Sequence, residues 1–105
     1  MKVLQMRARP ASSLTLFTVS LRVFRPVGEQ EIRLLWSKWT REIPGKKFPV
    51  PSTKLLLNPL KKGVVEVIFS GVSKMHPEEA KIAGESLAEF LQYHLFNYSL
   101  WKQGK

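Results

Sequence analysis

Few residues in this chain could carry acid–base, nucleophilic or metal chemistry. Its 105 residues include eight acidic side chains, all of them glutamate, two histidines and no cysteine. Catalysis and metal binding need such groups to converge, and neither His76 nor His94 has a partner at ligand spacing. We expect His94, within an apolar stripe, to be a hydrogen-bonded core or interface residue, and His76 to start a helix. The sequence therefore predicts no metal site and no cofactor.

The other candidates for chemistry have structural explanations. Glu78 and Glu79 are neighbours on a predicted helix, so their side chains diverge by about 100° and do not face each other as a carboxylate pair must. Ser70 and Ser73 lack the Gly-x-Ser-x-Gly elbow of hydrolases, and the chain has no Asp for an Asp-dependent triad. Walker and Rossmann glycine loops are missing as well. We predict no catalytic residues and a protein that is not an enzyme.

Charge is the strongest signal in the sequence. Seventeen Lys and Arg stand against eight Glu, which gives a formal net charge of +9. Residues 1–62 hold thirteen basic and three acidic side chains, whereas residues 63–105 hold four and five. A strongly positive half attracts polyanions or acidic protein surfaces. We predict binding to nucleic acid, with RNA slightly favoured over DNA, mainly through phosphate contacts.

The predicted phosphate contacts come from the first helix, the connection after it and a hairpin. They form one basic strip if the hairpin tip and the connection lie on the same edge of the fold. The residues are Arg33, Lys38, Arg41, Lys46, Lys47, Lys54, Lys61 and Lys62. Solvated loop lysines that only discourage aggregation are the alternative explanation.

The segment 62–69 fits the RNP1 pattern of RNA-binding sheets only in part, because Val64 and Glu66 replace aromatic residues. Binding by shape and charge is the form of the hypothesis that remains.

The last helix supports a second hypothesis, that of a protein adaptor or assembly subunit. Apolar residues gather opposite the main apolar stripe of this helix; they are Ile82, Tyr93, Phe96 and Leu100. They predict a homodimer interface or a docking site, and the basic half would then bind an acidic protein. The N-terminal segment or the proline-rich connection of the same chain could equally cover them. A membrane-surface role ranks third, since the core already needs the apolar arc of the first helix.

Strands and helices must position these groups. The pattern predicts a strand from Leu14 to Arg25, because apolar and polar residues alternate there. Before it, the sequence predicts a short edge strand over residues 2–8 and a turn over 9–13, unless residues 1–12 are a mobile arm. After it, a helix is predicted over 29–43, with Trp36 and Trp39 in the core. Two strands over 53–58 and 64–70, joined by a hairpin loop over 59–63, and a long helix that starts at Pro77 complete the prediction.

This order predicts one α+β domain over residues 1–105, a two-layer sandwich. A three- or four-stranded, mostly antiparallel sheet would carry two helices on one face. If the first strand pairs with the second, the arrangement equals a ferredoxin-like split βαβ whose last strand has moved to the front.

No apolar run reaches the ~18 residues of a membrane span. We expect a cytoplasmic location, with an organelle as the alternative because the first 28 residues contain no acid.

Overall fold

In the part of the chain that the computed structural model describes, four strands and two helices form two layers. The structure describes the backbone of residues 4–11, 14–48 and 53–103, and the side chains of residues 7, 8, 10, 14–48 and 53–95. The elements are β1 (Leu4–Ala11), β2 (Leu14–Val23), α1 (Glu29–Glu42), β3 (Thr53–Lys61), β4 (Val64–Ser73) and α2 (Pro77–Gln103). The strand order is β1-β2-β4-β3, and every neighbouring pair is antiparallel. The predicted α+β sandwich is confirmed, with the strand order of the permuted split βαβ.

The two-residue period of the strands separates a buried face of the sheet from an open one. The odd-numbered residues are buried throughout β2 and at the centre of β4, and Val19, Val67 and Phe69 are fully inaccessible to solvent. Both helices pack on this buried face, against the strands and against each other. The opposite face, here called the open face, carries the even-numbered residues of these strands. Thr18 and Ile68 are examples, and both are half-buried.

The helix α1 buries one side against the sheet, as its apolar spacing predicts. Ile32, Trp36 and Trp39 are buried, and Trp36 packs edge-on against Phe69 with 5.2 Å between the ring centroids. Trp39 donates its indole N–H to the hydroxyl of Ser86 in α2, at 3.0 Å. Because both tryptophans are almost inaccessible, the prediction that they are core residues is confirmed.

The predicted ends of the strands were wrong in most cases. β1 continues through Pro10 and β3 through Pro59, whereas the sequence placed turns at both prolines. Both strands are sheet edges, where a residue without a backbone N–H is tolerated, and a register shift follows Pro59. The hairpin turn shrinks to Lys62 and Gly63, and Gly63 has a φ of 78° that glycine adopts without strain. β4 extends three residues further than predicted, and β2 ends two residues earlier.

The connection after α1 is anchored to the core by Phe48. This side chain is 1% exposed and stacks on Phe17, with 4.0 Å between the ring centroids and 8° between the ring planes. It also approaches Trp39, at 6.1 Å. The sequence predicted only an extended proline-rich connection here, so the role of Phe48 was missed. Its burial fixes the position of the two lysines that precede it.

The helix α2 begins where its sequence predicts. The backbone N–H of His76 donates to the carboxylate of Glu79 at 3.0 Å, as in a capping box, and Pro77 occupies the first helical position. Its buried stripe includes Ala80, Leu87 and Leu91. The apolar spacing of the sequence predicts that this stripe continues to Tyr98 and Trp101, whose side chains lie outside the described residues. Neither described helix has the length and apolar character that a membrane crossing requires.

Candidate functional site

The strand register places the predicted lysines at opposite ends of the sheet. We call the end where β2 begins and β4 ends the lower end, and the end with the β3–β4 turn the upper end. Lys46 and Lys47 precede β3 and Lys54 lies near its start, so these three are at the lower end. Lys61 and Lys62 are at the upper end, about 25 Å away by the rise of a strand. The two lysine pairs do not meet, and the predicted eight residues do not form a single strip.

The three predicted contacts on α1 lie away from the open face of the sheet. Arg33 pairs with Glu29 one helical turn earlier, with 2.7 Å between Nε and Oε2. Arg41 donates to the hydroxyl of Ser37 at 2.7 Å, and Lys38 is half-buried. Lys54 lines a cavity that has none of the three in its described lining.

Two adjoining cavities bring together a different set of cations. One of about 990 Å³ is lined by open-face residues of all four strands and by Lys81 of α2, and one of about 480 Å³ lies at the lower end; Val72 lines both. Among the described residues, no acidic side chain lines either cavity. The six basic side chains that line them are here called the basic surface: Arg7, Lys46, Lys47, Lys54, Lys74 and Lys81.

A row of four side chains crosses the open face within the larger cavity. Arg7 pairs with Thr18, Thr18 with Ser70, and Ser70 with Lys54. Directly opposed residues share a face of the sheet, so the two hydroxyls lie between the two cations. Three strand spacings separate the Cα atoms of Arg7 and Lys54 by about 14 Å. The row offers hydrogen-bonding groups at its centre and positive charge at both edges.

The carboxylate of Glu66 limits the basic surface towards the upper end. It accepts hydrogen bonds from the hydroxyl of Ser20 at 2.8 Å and from the side-chain amide of Asn58 at 3.2 Å. Glu66 thus lies on the open face. Glu66 precedes Ser70 by four residues on β4, which is about 13 Å along the strand. Arg22 is directly opposed to Glu66 on the same face, so the upper half of the open face carries a charge of each sign there, whereas no described carboxylate lines the larger cavity.

The lysines of the connection have partners within the fold. Lys46 Nζ lies 2.6 Å from Glu79 Oε2, and this hydrogen bond, followed by the one from the His76 backbone, lowers the pKa of Glu79. Lys47 Nζ lies 5.6 Å from the ring centroid of Trp39 and donates to the Gly45 carbonyl oxygen at 3.3 Å. Exposed ion pairs contribute little to stability, so Lys46 can exchange its glutamate for a stronger anion. Both lysines are therefore held at the lower end without being locked there.

The turn between β4 and α2 carries Lys74 and is fixed by buried hydrogen bonds. The hydroxyl of Thr15 donates to the carbonyl oxygen of Met75 at 2.6 Å, and the hydroxyl of Ser73 accepts from the Met75 backbone N–H at 3.0 Å. Sequence reasoning missed Lys74, Arg7 and Lys81. Each is remote in sequence from the other basic residues of the surface, and only the period-two spacing of the first strand could have placed Arg7 on the open face.

The predicted partner interface is described only in part. Ile82 is 66% exposed and Tyr93 is 65% exposed. They are separated by about three helical turns and therefore lie on one side of α2. The described part of the chain leaves both uncovered. The side chains of Phe96 and Leu100 lie outside the described residues.

His94 lies between α1 and α2. Its ring centroid is 4.3 Å from that of Phe90 and 5.2 Å from that of Tyr93. Burial lowers the pKa of His94, and the positive charge of Lys38 lowers it further. Among the described residues, no cluster of three or more histidine and carboxylate side chains could hold a metal ion.

Comparisons with protein-family models, with curated proteins and with solved structures found no match.

Proposed function

We propose that this protein is a non-enzymatic nucleic-acid-binding protein that contacts phosphates through the basic surface. The gathering of six cationic side chains from separate segments around two adjoining cavities supports this proposal. Phosphate contacts by Lys and Arg provide most of the sequence-independent affinity for nucleic acid. RNA is slightly favoured, because an open sheet face is a common RNA-binding platform. The cytoplasm and organelles both contain nucleic acid, so the proposal fits either location expected from the sequence.

The number of cations sets the expected salt dependence. If all six contact phosphates of a single strand, the logarithm of the association constant falls with the logarithm of salt concentration with a slope of about −4. Affinity then drops about 300-fold between 50 and 200 mM salt, by the same relation. Fluorescence anisotropy of a labelled random-sequence RNA measures this slope. Undetectable binding at low salt, or a slope near zero, would contradict the proposal.

A second candidate function is self-association through α2. It is favoured by the exposure of Ile82 and Tyr93 on one side of this helix. The double substitution Ile82→Glu and Tyr93→Glu should convert a dimer into a monomer. Dimerisation would then remove two carboxylates from water without a partner, which costs more free energy than the apolar contact provides. Light scattering gives the mass of each form. A monomeric mass for the parent protein as well as for the variant would rule self-association out.

A further inference from the structure

The smaller cavity combines an apolar lining with a ring of cations. Leu14, Val72 and Met75 supply the apolar surface, and the lysine side chains come from the connection and from the β4–α2 turn. Its volume of about 480 Å³ lies in the range of small-ligand pockets. A complementary ligand has a flat apolar part with negative charge on either side. Each unit of a nucleic acid strand has this composition.

We propose that this cavity receives an unstacked base of a single-stranded nucleic acid, while Lys46, Lys47 and Lys74 bind the phosphates that flank it. This inference rests on the function proposed above and names the form of nucleic acid that is bound. Bases in a duplex are paired and stacked, so they cannot enter the cavity unless the duplex opens. A duplex therefore makes only the phosphate contacts, whereas a single strand makes those contacts and the base contact.

The path of the strand continues from the cavity onto the open face. Val72 lines both cavities and lies two residues, or about 7 Å, from Ser70 along β4. Ser70 belongs to the row that ends in Arg7 and Lys54. A strand that leaves the cavity thus meets two hydroxyls and two further cations. The basic surface then acts as one continuous track.

The cavity should accept any base. Apart from the three lysines, which are assigned to phosphates, its described lining contains no Arg, Asn, Gln, Asp or Glu side chain that could read a base edge. The hydroxyl of Ser73 accepts a hydrogen bond from the backbone N–H of Met75, and Ser73 is buried, so it is poorly placed to reach a base edge. We therefore expect selection of single strands with little preference among sequences.

The test compares three probes of equal length by fluorescence anisotropy at one salt concentration: a single strand, the same strand with abasic sites, and the duplex. The duplex releases more counterions per phosphate contact than a single strand, so it serves as a probe that Leu14→Gln should leave unaffected. The intact single strand should bind about fivefold tighter than the abasic strand, the lower range of measured base contacts, because the lining is aliphatic. Leu14→Gln should remove this preference, since Leu14 is 37% exposed at the cavity rim. Leu56→Gln, at an exposed open-face residue outside both cavities, should keep it.

Each outcome has a distinct meaning. If the abasic strand binds as tightly as the intact strand, or if Leu14→Gln weakens binding of the duplex as much as binding of the single strand, the base-binding cavity is wrong while phosphate binding stands. If none of the three probes binds, the proposed function fails, and this inference fails with it. An acidic peptide of alternating glutamate and leucine that displaces the labelled strand at lower concentration than unlabelled strand does would also overturn the inference, because the cavity would then fit a protein segment better.

Discussion

Removing the charge of Lys54 tests the position of the proposed surface, and Lys62 provides the matched control. Lys54 is exposed at one edge of the row that crosses the open face, and Lys62 is exposed in the hairpin turn at the upper end. Lys54 lies near the start of β3 and Lys62 directly follows its end, and Lys54→Gln and Lys62→Gln make the same change to the net charge. Exposed substitutions of this kind alter the free energy of unfolding by about 0.5 kcal/mol or less. Differences in binding then report on position alone.

The expected loss follows from counterion release. One phosphate contact with a single strand releases about 0.7 counterion, so its loss at 0.1 M salt reduces affinity about fivefold, or about 1 kcal/mol. The slope should change from about −4 to about −3.5 when six contacts become five. Lys62 lies about 25 Å from Lys54, more than two Debye lengths at that salt concentration, so its loss should not be measurable.

Fluorescence anisotropy of the parent and both variants over a range of salt concentrations gives the affinities and the slopes together. Thermal unfolding followed by circular dichroism checks that all three proteins are folded. The reasoning is refuted if Lys62→Gln weakens binding as much as Lys54→Gln does, because the phosphate contacts would then extend to the upper end of the sheet.

Three further predictions concern contacts around this surface. Glu79→Gln should strengthen RNA binding up to about fivefold at 0.1 M salt in the same assay, because Lys46 loses its competing partner; unchanged or weaker binding contradicts this. Phe48→Ala should lower the free energy of unfolding in urea by about 3–5 kcal/mol and Phe48→Leu by about 1 kcal/mol, because Phe48 is buried against two aromatic rings; a loss below 1 kcal/mol for the alanine variant refutes its role as an anchor. His94 has a pKa below its ordinary 6.5 in the folded state, so the unfolded chain binds a proton more tightly, and this residue removes stability as pH falls below about 6.5. His94→Gln should therefore lose less stability than the parent between about pH 7.5 and 5.5, and equal losses in urea midpoints would contradict this sign.

The layered fold could be predicted from the sequence because the apolar periods are clear. Alternation over Thr15–Val23 identified β2 and its buried side, and the apolar arc that contains Trp36 and Trp39 identified α1. The strand ends could not be predicted in the same way. Pro10 and Pro59 read as breakers of strands, and only the tertiary structure shows that their strands are sheet edges that tolerate proline.

The composition of the site was predictable, but most of its geometry was not. The excess of positive charge is visible in the sequence, and so is the pair of Arg33 with Glu29 at helical spacing. The partner of Lys46 is Glu79, which is distant in the chain and is brought close only by folding. Where Lys54 lies relative to the turn lysines depends on the length of β3, which exceeds the prediction by three residues.

Amide chemical-shift changes measured by NMR during titration with a short single-stranded RNA locate the bound strand on the protein. If the basic surface binds the strand, the largest changes occur on the lower half of the open face and at the lower end, at Arg7, Thr18, Ser70 and Lys74. Changes confined to α1 around Arg33, or to the hairpin turn at the upper end, would contradict it. The absence of any change at low salt would contradict it as well.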